Sequence, residues 1–114
     1  LLLIEIPMPT PSLNRLQRMH FHARKRLRDQ YERICRARAS SLHRARPGEH
    51  KCIRIERHAA RELDHDNFVG GCKPLVDALN RAGLIWDDNP KHLRVEYRQV
   101  KATGKTARTL IVLP

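Results

Sequence analysis

The chain has 114 residues, with 23 Lys and Arg against 12 Asp and Glu, a formal charge of +11 and a sequence pI near 10.6. That length suits one domain without core to spare for a second, and 40% hydrophobic residues in amphipathic segments exclude a disordered basic tail. The longest apolar runs, Leu1 to Ile4 and Leu110 to Leu113, fall far short of the roughly 18–20 residues of a membrane span, so a soluble protein with no membrane partner is expected.

The chain opens on Leu1 rather than Met, so residues ahead of it are expected. Leu1 to Ile6 lacks the basic flank and small-residue cleavage site of a secretion signal. Cys35, Cys52 and Cys72 form no close pair, and their odd number argues against a disulfide framework. A reducing, cytoplasmic setting follows. The positive charge then points to a polyanionic partner, nucleic acid ahead of a membrane surface.

Leu1 to Ile6 reads as a strand, closed by Pro7-Met8-Pro9-Thr10-Pro11, where three prolines allow neither helix nor central strand. Ser12 is a candidate N-cap or turn residue. Beyond it Leu16, Met19, Ala23, Leu27, Tyr31 and Ile34 recur at spacings of three and four, which predicts one helix with a single buried stripe. Its other faces carry Arg18, Arg24, Lys25, Arg26, Arg28, Arg33, Arg36 and Arg38, and it should end before the Pro47-Gly48 turn. Lys51 to His58 alternates as a strand. Pro74 to Ala82 reads as a second main helix, with Pro74 in its first turn and Gly83 just past its end; helix starting at Asn67, broken near Gly70-Gly71, is the alternative. Leu93, Val95 and Tyr97 mark a third strand. Thr103-Gly104-Lys105 is expected to turn it into a fourth, Ala107 to Leu113, as a terminal hairpin. The expected fold is a single α/β (α+β) domain over residues 1–114, a mixed sheet of about four strands in the order β-α-β-α-β-β.

Charge is unevenly divided. From Arg15 to Arg46, eleven Lys and Arg face Asp29 and Glu32, a local charge of +9. From Glu62 to Asp88, six acids face Lys73 and Arg81, a local charge of −4. Asp64-His65-Asp66-Asn67 sets two carboxylates two residues apart, on one face of an extended backbone. Asp87-Asp88 follows the second helix in a turn able to fold back to the same sheet end. Hard divalent cations take oxygen ligands, usually one or two carboxylates with substrate phosphate and water. Clustered aspartates in a basic protein therefore suit metal-assisted phosphodiester cleavage. Equally, Asp66 can serve as a helix cap and Asp87-Asp88 as a solvated turn.

Asp64-His65-Asp66-Asn67, Lys73-Pro74-Leu75-Val76-Asp77-Ala78-Leu79 and Gly83-Leu84-Ile85-Trp86-Asp87-Asp88 together resemble the RusA-like Holliday-junction resolvases. Ile6-Pro7-Met8-Pro9, with Ser12 and Asn14, is similar to that family's proline-rich start. The likeness is concentrated in residues 64–88, with a looser echo at 6–15. It implies a homodimeric mixed α/β endonuclease that resolves four-way DNA junctions by symmetric cutting in recombination and repair, in the cytoplasm with the nucleoid. Mg²⁺ is the implied cofactor, with Mn²⁺ able to substitute. Asp64, Asp66 and Asp88 match the catalytic, metal-holding aspartates, Lys73 matches the essential lysine, and Asp87 can share the last aspartate's role. The stretch holding Gly70-Gly71 is about three residues longer than in the best-known bacterial member, and glycine flexibility is expected to restore the reach of Lys73.

Arg15, Arg18, Arg24, Lys25 and Arg28 are the expected DNA-binding cations, with Asn67 beside the acids. Asp77, on the second helix, reads as structural. Phe21, Tyr31, Phe68, Trp86 and Tyr97 are scattered, most of them as core or interface, so no aromatic platform for single strands is expected, and Trp86 is expected to pack rather than wedge at a junction. His20 and His22, two apart within a helix, do not share a face. The spacing of Cys52, His58, His65 and Cys72 fits no common zinc site. Two other function classes remain: a DNA-binding protein of this fold that does not cut, and a nuclease acting on other branched DNA.

Overall fold

A computed structural model describes residues 1–114. In β1 (Leu2–Ile6), Leu2, Ile4 and Ile6 are buried while Leu3 and Glu5 face outward, the two-residue period of a pleated strand. β2 (Lys51–Ala59) buries Ile53 and Ile55, β3 (Leu93–Lys101) buries Leu93, and β4 (Arg108–Leu113) buries Thr109, Ile111 and Leu113. Four helices accompany them: α1 (Leu13–Arg18), α2 (Phe21–Arg38), α3 (His65–Gly71) and α4 (Lys73–Arg81). The core joins Ile4, Ile55 and Ile111 of the sheet to Tyr31 and Cys35 of α2, Phe68 of α3, and Leu75 and Leu79 of α4. The radius of gyration, 13.5 Å, matches the ~13 Å of a single domain this long. The α+β class and the mixed four-stranded sheet are as expected.

Strand order is β1-β4-β2-β3, with β1 and β2 both antiparallel to β4 and β2 parallel to β3. The terminal hairpin expected from Thr103-Gly104-Lys105 is therefore absent. β2 lies between β3 and β4, and the connection through Gly104 crosses its end, tied by the Ala102 N–H donating to the Ala59 carbonyl at 3.0 Å. The parallel β2–β3 pair needs a long crossover, and α3 and α4 supply it.

The expected long N-terminal helix is two helices. Met19 and His20 are extended, and the Nδ1 of His20 accepts from the His22 N–H at 3.1 Å, capping α2. His20 is thus outside the helix, and its ring stacks on His22 with centroids 5.1 Å apart. The break lets each piece bury its own stripe: α1 turns Leu16 inward beside α3, while α2 turns Tyr31 and Cys35 into the core. A continuous apolar period conceals such a break, because both helices keep the spacing.

Prolines 7 to 11 cannot extend the β1 ladder, so side chains satisfy their neighbours' backbone groups. Thr109 Oγ1 accepts from the Thr10 N–H at 3.0 Å and donates to the Met8 carbonyl at 2.9 Å, and Arg57 Nε donates to the Thr10 carbonyl at 2.8 Å. This segment lies so close to the end of α3 that a Cβ on Gly71 would overlap the Pro11 carbonyl oxygen. Gly70 and Gly71 both sit in helix without positive φ. They serve close packing rather than the flexibility expected of them.

Candidate active site and nucleic-acid groove

Each motif residue is held by a local device. Asp64 is the N-cap of α3: one carboxylate oxygen accepts from the Asn67 N–H at 3.0 Å, the other from the Asn67 side-chain amide at 2.8 Å. Those bonds, the backbone one first, hold its carboxyl below the usual carboxylate range. Asn67 Oδ1 accepts in turn from the Asn14 N–H at 3.1 Å, which fixes the start of α1 against α3. The side-chain amide assigned to DNA is therefore engaged within the chain. Asp66 is exposed in the first turn of α3, so it does not share an extended face with Asp64 as expected, and its side chain makes no hydrogen bond or ion pair.

α3 gives way at Cys72 to α4, which carries Pro74 in its first turn, the position where a missing N–H costs nothing. α4 ends in a Schellman turn. The Leu84 N–H donates to the Leu79 carbonyl and the Gly83 N–H to the Asn80 carbonyl, both at 3.0 Å, with Gly83 at φ 77°. Leu84 and Ile85 then enter the core, and the Asn80 side-chain amide donates to the Trp86 carbonyl at 3.0 Å. This anchor brings the acidic loop back along α4. Trp86, expected to pack, is 46% exposed.

The loop delivers Asp88 to Lys73. The Nζ of Lys73 lies 3.5 Å from Asp88 Oδ2 and 3.5 Å from Asp77 Oδ1. Asp77, read from the sequence as structural, is thus part of this constellation; its spacing of four from Lys73 on a helix was the signal for it. Asp87 points elsewhere. Its carboxylate accepts from the Asp88 N–H and from the Asn89 side-chain amide, both at 2.7 Å, and is held below the usual range by them.

Lys73 and Asp77 also border a groove of about 590 Å³ between α1, α2 and α4. Arg24, Lys25 and Arg28 stand on its opposite wall, three of the five cations assigned to DNA. Arg15 and Arg18 are exposed on α1 outside this lining. Phe21 completes the α2 wall and is 63% exposed, against the expectation of core or interface for most aromatics. Positions 21, 24, 25 and 28 follow the i, i+3, i+4, i+7 spacing of one helix face. A second hollow of about 520 Å³ lies beside Asp64, among Glu62, His65, Phe68 and Tyr97.

A hard divalent cation suits the donor chemistry: Asp64, Asp66 and Asp88 present exposed carboxylate oxygens, and that of Asp66 is uncommitted. No three His, Cys, Asp or Glu side chains form a group that could hold an ion among themselves. An ion here would rely on one or two carboxylates with substrate phosphate and water completing its shell. The cysteines are free, and burial pushes the Cys35 and Cys72 thiols up to about 12. No helix is long and apolar enough to cross a membrane. No protein-family model and no curated protein matches the sequence.

Proposed function

We propose that the chain is a divalent-metal-dependent endodeoxyribonuclease that cuts branched DNA, four-way junctions above all, by phosphodiester hydrolysis. The observation that carries this reading is the contact of Lys73 with Asp88 at the mouth of a groove walled by Arg24, Lys25 and Arg28. It joins two motif residues of the resolvase resemblance and sets them beside cations suited to a phosphate backbone.

Of the aspartates that the resemblance names for Mg²⁺, or Mn²⁺ in its place, Asp64, Asp66, Asp87 and Asp88, no three gather into one site, so an ion would be held by one or two of them with substrate phosphate and water. Such an ion, when bound, polarises a phosphoryl oxygen and lowers the pKa of water. The chain's own groups do the rest. Arg24, Lys25 and Arg28 hold the backbone across the groove, extended by Arg15 and Arg18 on α1. Asp77 and Asp88 keep the Lys73 ammonium at the rim, where it meets the scissile phosphate and the negative charge that grows there. Asn67 keeps the Asp64 carboxylate oriented. A symmetric homodimer, one active site for each of two strands, and work on DNA in the cytoplasm belong to the same proposal and rest on the resemblance.

A second reading, a DNA-binding protein that does not cut, is favoured by one feature: Asp64 and Asp87 are committed to caps and turns. Incubating synthetic four-way junctions, flaps and linear duplex with Mg²⁺ separates the readings. The nuclease cuts junctions most readily. Binding without cutting under any divalent metal leaves only the second.

A further inference from the structure

We propose that the groove between α1, α2 and α4 seats an unstacked nucleotide, its base against Phe21 and its phosphates on Arg24, Lys25 and Arg28. This deepens the nuclease reading and rests on it for the identity of the ligand as DNA. Leu13, Leu16 and Pro74 give the groove an apolar floor, and Phe21 adds an exposed aromatic ring. His22 meets that ring edge-on with centroids 5.2 Å apart, and His20 stacks on His22 in turn. A volume of about 590 Å³ lies within the usual range for small-ligand sites, roughly 300–1,000 Å³.

The two halves of the lining ask for two kinds of chemistry in one ligand. An apolar floor with a ring wants a flat aromatic group, whereas the three cations want an anion beside it. A nucleotide is both at once. In intact duplex the base is stacked inside and cannot reach Phe21, while at a branch point or in a single strand it can. Seating the base there holds its phosphate on the α2 wall, across the groove from Lys73, which gives the site a reason to prefer branched DNA.

Fluorescence anisotropy tests this without any cutting step. A labelled eight-nucleotide thymidine strand and a blunt duplex are titrated with wild type and with Phe21→Ala, Phe21→Leu and Phe21→Trp, all without divalent metal. Phe21→Ala and Phe21→Leu should weaken binding of the single strand about five- to a hundredfold and leave the duplex nearly unchanged, while Phe21→Trp retains affinity. An exposed side chain contributes little to folding, so melting of all variants should match wild type. Equal losses on strand and duplex, no loss on either, or no strand binding by wild type would overturn the proposal. So would displacement of the strand by poly-glutamate of equal charge as readily as by unlabelled thymidine strand, which would assign the groove to acidic peptides. Strand binding that depends on Phe21, in a protein that cuts no junction, would sink the nuclease reading and leave this one standing.

Discussion

Lys73 and Asp88 stand at opposite ends of the α4 segment in sequence, yet their side chains meet 3.5 Å apart. Pro74 starts the helix beside one of them, and the Schellman turn at Gly83 sends the chain back to deliver the other. Both side chains are open to solvent, 68% for Lys73 and 43% for Asp88, so the pair contributes little to folding. Lys73→Ala and Asp88→Asn should each slow junction cutting by about a hundredfold or more while leaving the melting temperature and junction affinity close to wild type. Single-turnover cleavage alongside a binding titration checks this. Loss of folding in either variant would mean the pair is structural.

Gly71 faces the Pro11 carbonyl with no room for a Cβ, whereas a Cβ on Gly70 would meet the flexible Leu13 side chain, at 2.8 Å from its Cδ2. Gly71→Ala should therefore lower stability by ~1–3 kcal/mol, and Gly70→Ala by less. Urea denaturation midpoints distinguish them, and equal midpoints would contradict the close approach of the proline-rich segment to α3.

Tyr31 is fully buried with a hydroxyl that finds no partner, and burial raises its pKa. Removing that oxygen leaves nothing unsatisfied behind. Tyr31→Phe should keep wild-type stability or gain ~1 kcal/mol. A clear loss in thermal melting would show that the hydroxyl is bonded after all.

The Asp64 cap gives a pH signature. Asn67 bonds lower its folded pKa, so its contribution to stability is complete above the unfolded value of ~3.9 and is lost as pH falls through the lowered one. Asp64→Asn keeps a capping oxygen but cannot titrate. Melting curves from neutral to acid should show the wild type losing stability below about pH 4 more steeply than the variant. Parallel curves would mean that Asp64 does not cap α3 in solution.

Local signals were legible where one residue type settles the geometry. Pro74 and Gly83 bound α4, Ser12 caps α1 with its Oγ 3.0 Å from the Arg15 nitrogen, and alternation marks each strand. Pairing was not legible, because which strand intervenes between β3 and β4 depends on contacts remote in sequence. The break at Met19-His20 was hidden by an unbroken apolar period, with a histidine in the capping role usually taken by Ser, Thr, Asp or Asn. At the site, the motifs supplied Lys73 and Asp88, and helix spacing could have supplied Asp77. Phe21 looked like one more scattered aromatic, since only the packing of α1 and α4 beside α2 turns its face into a groove wall.

The proposed metal-dependent cutting of branched DNA rests on the exposed carboxylates of Asp64, Asp66 and Asp88. Asp66, exposed and uncommitted, probes it most cleanly because its loss disturbs no internal bond. Single-turnover assays on a labelled four-way junction, with Mg²⁺ and with chelator, compare wild type with Asp66→Asn. Wild type should make paired cuts near the branch point with Mg²⁺ only, and Asp66→Asn should bind the junction without cutting it. A wild type that binds the junction yet leaves it whole in Mg²⁺ and Mn²⁺, or an Asp66→Asn protein that cuts as fast as wild type, would contradict it.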